Sequence, residues 1–130
     1  SRDYDRFIID APCSGTGTWR RSPDAKFRLT PQKLSELNRI QSELLDIALK
    51  STKTGGRIVY ITCSILRDEN EDVINAFTAC NPQVKHIDLK QLWQSLLEAP
   101  YPGKDGKFLR FSPLTTNTDG FFITVLEKTA

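Results

Sequence analysis

The sequence contains no methionine, one histidine and only three cysteines. Three thiols are too few, and odd in number, for a disulfide scaffold; they suit a reducing compartment such as the cytoplasm. No apolar run approaches the ~18 residues of a membrane span, and no basic stretch leading into an apolar one opens the chain as a secretion signal would. A dominant charge is missing too. Eighteen Lys and Arg against 16 Asp and Glu leave +2, which excludes a polycation that holds nucleic acid by charge alone. Repeats and low-complexity stretches are absent. A chain without an initiator residue that opens just before a core-like strand reads as a piece of a longer protein. What is present, 130 residues with 38% hydrophobic and 26% charged content, is the make-up of a single globular domain.

Strand and helix signals alternate along it. Phe7-Ile8-Ile9 is a short apolar run ending at Asp10, the pattern of a buried strand. Residues 11–22 carry Pro12, Gly15 and Gly17 and read as a loop. Thr30-Pro31 pairs an N-cap residue with proline at the first helical position. Leu34, Leu37, Gln41, Leu44, Leu45 and Ala48 then follow at helical spacing, with Ile40 and Ile47 widening the apolar face and Gly55-Gly56 ending the helix. Residues 57–62 (RIVYIT) have the β-branched and aromatic make-up of a buried strand. Asp68 and Glu71 have capping-box spacing ahead of Val73, Ile74 and Phe77 on one helical face. A strand over 84–89, a short amphipathic helix with Leu92, Trp93 and Leu96, and strands over 108–111 and 121–127 complete a βαβαβαββ order. That order predicts an α/β fold with a largely parallel sheet.

The first strand, the helix and the second strand form a βαβ unit, which sets two strands parallel and commonly adjacent. Cys13 lies three residues past the first strand and Cys63 directly past the second. Both therefore emerge at the carboxyl rim of the sheet, where open α/β proteins bind ligands. Neighbouring strands run ~4.8 Å apart, so the two sulfurs can face one pocket although 50 residues separate them in sequence. The bland alternative makes each a small buried hydrophobe, and for Cys80, between a helical Phe77 and Asn81-Pro82, that is the reading adopted. A zinc site from Cys13, Cys63, Cys80 and His86 has the right ligand types but lacks the close cysteine pair of structural sites. A cysteine hydrolase needs a histidine beside its nucleophile, and His86 falls in or before a strand, away from the rim. No G-x-x-x-x-G-K-[ST] phosphate loop is present, and Gly15-Thr-Gly17 alone is a weak signal.

At Asp10-Ala-Pro-Cys13-Ser-Gly-Thr-Gly17 and Thr62-Cys63-Ser64 the chain resembles the RNA cytosine-5 methyltransferases of the Fmu/Sun family, the group that includes bacterial ribosomal RNA methyltransferase B. The match continues through Arg20-Arg21-Ser-Pro-Asp24, Gly55-Gly56, Glu69-Asn70-Glu71 and Asp119-Gly-Phe-Phe122. The resemblance implies S-adenosylmethionine-dependent methylation of ribosomal or transfer RNA through a covalent adduct. Carbon 5 of cytosine is a poor nucleophile until a thiolate adds to carbon 6 and makes an enamine, a division of one hard step into easier ones. By the resemblance Cys63 is that nucleophile, Cys13 assists release of the product, and Asp10 lies beside the base or the methionine end of the cofactor, with Pro12 next to it. Cys63 also sits a few residues before a predicted helix start, where the positive dipole end favours thiolate. Thr62 and Ser64 either orient that loop or are only its turn residues.

The resemblance further implies the carboxyl-terminal half of a class I (Rossmann-like) methyltransferase sheet, strand order 4-5-7-6 with strand 7 antiparallel. Residues 1–130 would then be a partial catalytic domain, lacking the amino-terminal half with its glycine-rich cofactor loop. As such it is expected to be inactive alone and to leave the first strand with an open edge, inviting a dimer or a covering segment. Arg20, Arg21, Lys26, Arg28 and Lys33 against Asp24 put +4 into residues 19–33, beside the Cys13 loop. Arg20, Arg21, Lys26 and Arg28 are the candidate RNA phosphate contacts, and Trp19 and Phe27 could stack on unpaired bases. The alternative to an enzyme is a noncatalytic RNA-binding module that kept the fold; methyl transfer by the full-length protein discriminates between them.

Overall fold

A computed structural model describes residues 3–18, 29–112 and 119–130. Among them are five strands, β1 (Tyr4–Asp10), β2 (Thr52–Thr62), β3 (Val84–His86), β4 (Leu109–Phe111) and β5 (Phe121–Lys128), and three helices, α1 (Pro31–Ser51), α2 (Glu71–Cys80) and α3 (Leu89–Leu96). The sheet order is β1-β2-β5-β3, with β4 also paired to β5. β1 and β2 run parallel, whereas β5 is antiparallel to β2, β3 and β4. This is the expected 4-5-7-6 arrangement. The two short strands β3 and β4 lie end to end along one edge of β5, pairing with residues 126–128 and 121–123 respectively.

Helix α1 begins as its sequence demands, with the Thr30 hydroxyl accepting from the Lys33 N–H at 3.2 Å and proline in the first turn. Its end departs from expectation. The helix stops at Ser51, and Gly55-Gly56 lies inside β2, where Gly55 takes φ +85° in a bulge between the Tyr4–Thr52 and Arg6–Arg57 pairs. No glycine cap is needed because side chains satisfy the last carbonyls. The Thr52 hydroxyl donates to Ala48 O at 2.7 Å and Lys128 Nζ to Leu49 O at 2.9 Å. The helix buries Gln41, Leu45, Ala48 and Leu49, while Ile47, expected on the apolar face, is exposed.

Helices α1 and α2 cover one face of the sheet. Leu45, Ala48, Val73, Ile74 and Phe77 pack there on Ile9, Ile58, Tyr60, Phe122 and Leu126. On the other face Leu89 and Trp93 of α3 pack with Leu109, Val125 and Val59. β1 is not the buried strand its composition suggested. Only Ile9 is buried, and Ile8 is 66% exposed, because β1 is the edge of the described sheet and α3 does not reach it. At α2 the N-cap residue is Asn70, so Asp68 and Glu71 form no capping box; a 3-10 turn over Arg67–Glu69 intervenes. Cys80, expected in the core, ends α2 exposed.

Candidate active site at the carboxyl rim of the sheet

The parallel pairing of β1 with β2 matches Asp10 to Ile61, and the Ala11 N–H extends it by donating to Ile61 O at 2.8 Å. Both chains leave the sheet at the same end and the same height. Cys13 and Cys63 consequently meet, Sγ to Sγ 3.2 Å, both half-buried and both free thiols. That is a hydrogen-bond contact, well beyond the ~2.05 Å of a disulfide.

The contact splits the acidity of the pair. A proton on Cys13 donated to the Cys63 sulfur stabilises a Cys63 thiolate, and this bond is the main cause drawing Cys63 down to about 7. Burial opposes it, the Cys63 backbone N–H helps, and the Asp10 and Glu69 carboxylates push back. The largest cause is thus the neighbouring thiol; α2 itself begins only eight positions on, after a 3-10 turn. Cys13 is pushed far up, first because ionising would forfeit its bond to Cys63 and second by burial. One thiol of the pair is thus drawn toward ionisation while its neighbour keeps its proton.

A carboxylate holds both cysteine loops in place. Glu69, fully buried in the 3-10 turn, accepts from the Ser14 N–H at 2.7 Å and the Ser14 hydroxyl at 2.6 Å. It also accepts from the Ser64 hydroxyl and, at 3.4 Å, from Gln41 Nε2. One side chain therefore grips the residue after each cysteine. Its own backbone carbonyl takes the Tyr60 hydroxyl at 2.8 Å. Thr62 and Ser64 do orient the loop. The Thr62 hydroxyl donates to Asn70 Oδ1 at 2.6 Å, Asn70 Nδ2 returns a bond to Ser64 O at 2.8 Å, and all three residues are fully buried. Glu69 and Asn70 escaped notice as site residues; the only sign was their place in the matching Glu69-Asn70-Glu71 stretch.

Backbone packing closes the same rim. The Gly17 N–H donates to Cys63 O at 2.8 Å, and the Gly120 N–H to Gly17 O at 2.7 Å. A Cβ on Gly17 would fall 2.6 Å from Cys63 O and still closer to Gly120 O, so only glycine fits between the two chains.

Asp10 ends β1 exposed at this rim, with no hydrogen bond or ion pair among the described residues. Pro12 is exposed, and its carbonyl accepts from Gln41 Nε2 at 2.9 Å. Arg20, Arg21, Lys26 and Arg28, with Trp19 and Phe27, lie outside the described residues. His86 ends β3 four ladder positions below the rim, as its register with Leu126 requires, and burial lowers its pKa. No group of three or more His, Cys, Asp or Glu side chains among the described residues could hold a metal ion.

A sheet in 4-5-7-6 order with two loop thiols over its first parallel pair is the arrangement of an α/β methyltransferase type of fold, with the thiols at the rim where such sheets bind ligands. The chain belongs to the RsmB/F family of 16S rRNA methyltransferases, whose model matches residues 1–127. Ribosomal RNA small subunit methyltransferase F of Cronobacter sakazakii is 36% identical over 98% of this chain. Probable ribosomal RNA small subunit methyltransferase B of Bacillus subtilis is 40% identical over 98%. The chain spans 26% and 28% of those two proteins, about a quarter of their length. Among solved structures, PH0851 superposes with a TM-score of 0.81 at 36% identity, covering 95% of this chain and 26% of that one. NSun6 from Pyrococcus horikoshii with SFG gives 0.76 at 27% identity, covering 99% of this chain and 31% of that one.

Proposed function

We propose that this chain carries the nucleophile and the product-release group of an S-adenosylmethionine-dependent RNA cytosine-5 methyltransferase acting on small-subunit ribosomal RNA. The observation that supports it best is the 3.2 Å approach of two thiols of opposed acidity at the end of adjacent parallel strands.

Cys63, ionised, adds to carbon 6 of a cytosine that is single-stranded or unstacked from its helix. Asp10, exposed beside the thiols and without a described side-chain partner, accepts from the amino group of the base and so holds the ring over Cys63. When bound, S-adenosylmethionine supplies an electrophilic methyl group to carbon 5. The exposed Asp10 carboxylate and Pro12 ring are the residues here that would border it, and Asp10 fits a group bearing polar hydrogens. Once Cys63 is a thioether it no longer holds the Cys13 proton. The main cause of the raised Cys13 pKa then disappears, and Cys13 can give its proton to solvent water. Its thiolate takes the carbon-5 proton, the carbon 6–sulfur bond breaks by elimination, and Cys63 leaves as the thiolate it began as.

Among the described residues β1 has an open edge and carries the exposed Ile8, a surface that a further strand of the same protein or a second copy could cover. No described helix is long and apolar enough to cross a membrane. The test is incubation of the full-length protein with unmodified small-subunit ribosomal RNA and methyl-labelled S-adenosylmethionine. Label in 5-methylcytosine is expected. Label in another nucleoside, or RNA binding with no transfer as a noncatalytic module would give, overturns the reading.

A further inference from the structure

A cavity of about 510 Å³ opens beside the thiol rim, within the range of small-molecule sites. Its wall is β4, and the loop over residues 102–105 faces it. β4 runs parallel to β2 with β5 between them. Thr62 pairs with Phe122 and Phe111 with Phe121, so Phe111 emerges at nearly the height of Cys63, two strand spacings away (~10 Å). Ile65, only two residues past Cys63 and 41% exposed, joins the two places.

The lining has a definite chemistry. Ile65, Pro102, Phe108 and Phe111 make most of it apolar. Phe108 stacks on Phe122 at 5.5 Å, whereas Phe111 has no aromatic partner among the described residues. The one guanidinium in the wall, Arg110, is already spent. It is held bidentately by Glu71 at 2.6 and 3.0 Å and also donates to Ile65 O at 3.3 Å. A hollow with aromatic walls and a neutralised cation suits a flat, uncharged ring better than a phosphate. On the loop side of the lining, next to Asp105, Lys104 is exposed with no ion-pair partner among the described residues, placed for a phosphate at the mouth. The cavity also lies on the side of the thiols away from β1, the edge where the cofactor half of the sheet is expected.

We infer that this cavity seats the base of a nucleotide neighbouring the target cytosine in the RNA. The inference rests on the reaction proposed above and adds a second point of RNA contact to it. Aromatic stacking makes such a site tolerant of base identity but sensitive to the loss of the base.

The test uses the full-length enzyme and short single-stranded RNAs centred on the cytosine it methylates, each with one neighbouring position made abasic. Equilibrium affinity and methylation are both measured. One abasic position is expected to weaken binding about tenfold. Phe111→Leu, which keeps the apolar volume and so the fold, is expected to weaken intact RNA similarly and to lose little more on that same abasic RNA. Lys104→Ala should weaken every RNA alike and make binding less salt-sensitive. Independent, multiplying effects of Phe111→Leu and the abasic site would overturn the inference, as would indifference to every abasic neighbour. A thermal melt of Phe111→Leu matching that of the unsubstituted enzyme excludes a folding defect; if it falls, Ile65→Ala is run through the same cycle. Failed methylation with the affinity pattern intact counts against the reaction and not the cavity; methylation without the pattern counts against the cavity alone.

Discussion

Replacing Cys13 by alanine is expected to make Cys63 a far weaker acid. The Cys13 hydrogen bond is the largest influence lowering Cys63 from its ordinary value of 9.0 to about 7. Without it the Cys63 backbone N–H still favours the thiolate, but burial, the larger influence, and the Asp10 and Glu69 carboxylates favour the neutral thiol. The midpoint should therefore return to about 9 or above. At pH 7 about half of Cys63 is thiolate in the native pair but only about one part in a hundred in Cys13→Ala, a loss on the order of 50-fold. Because intrinsic nucleophilicity also falls with pKa, the midpoint is the quantity to compare, not a single rate. Alkylation of Cys63 by iodoacetamide across pH 5–10, followed by mass spectrometry of its peptide, gives that midpoint. For the native protein the rate should rise through about pH 7, and methylation that begins with Cys63 should rise over the same interval. An unchanged midpoint in Cys13→Ala would refute the reasoning and place the cause in the backbone of the Cys63 loop.

Three further substitutions probe the scaffold. Glu69→Ala strands the Ser14, Ser64 and Gln41 donors in the interior and should cost about 3–5 kcal/mol in denaturant unfolding; a loss below ~1 kcal/mol would mean the carboxylate is not what holds the two loops. Gly17→Ala forces a methyl group between the Cys63 and Gly120 backbones and should destabilise by about 1–3 kcal/mol or more, with slower methylation, whereas a neutral result would show that the rim can spread. Cys80→Ser, at an exposed helix end, should change stability by no more than ~0.5 kcal/mol and leave methylation intact; a large effect would show that this thiol is more than a solvent-facing side chain.

The meeting of Cys13 and Cys63 was legible because a βαβ crossover leaves little freedom: two parallel adjacent strands must release their following residues at one rim. The start of α1 was legible for the same reason, being written locally in Thr30 and Pro31. Its end was not, because Lys128, 79 residues from Leu49, caps it from another element. Glu69 was illegible in a different way. A glutamate before a helix reads as solvated or as a cap, and nothing local says that Ser14, 55 residues away, will bring its N–H and hydroxyl to it. Ile8 misled because an apolar strand residue looks buried whichever edge it occupies; its exposure follows from β1 having one partner in the described sheet.

The shared crevice of two sulfurs with separate duties is tested most directly by covalent trapping. Full-length Cys13→Ala and Cys63→Ala enzymes are incubated with ribosomal RNA and S-adenosylmethionine at pH 9, where Cys63 can ionise without its neighbour, and run on a denaturing gel. A protein–RNA adduct that accumulates with Cys13→Ala and is absent with Cys63→Ala is the predicted result. Adduct with Cys63→Ala and none with Cys13→Ala would contradict it.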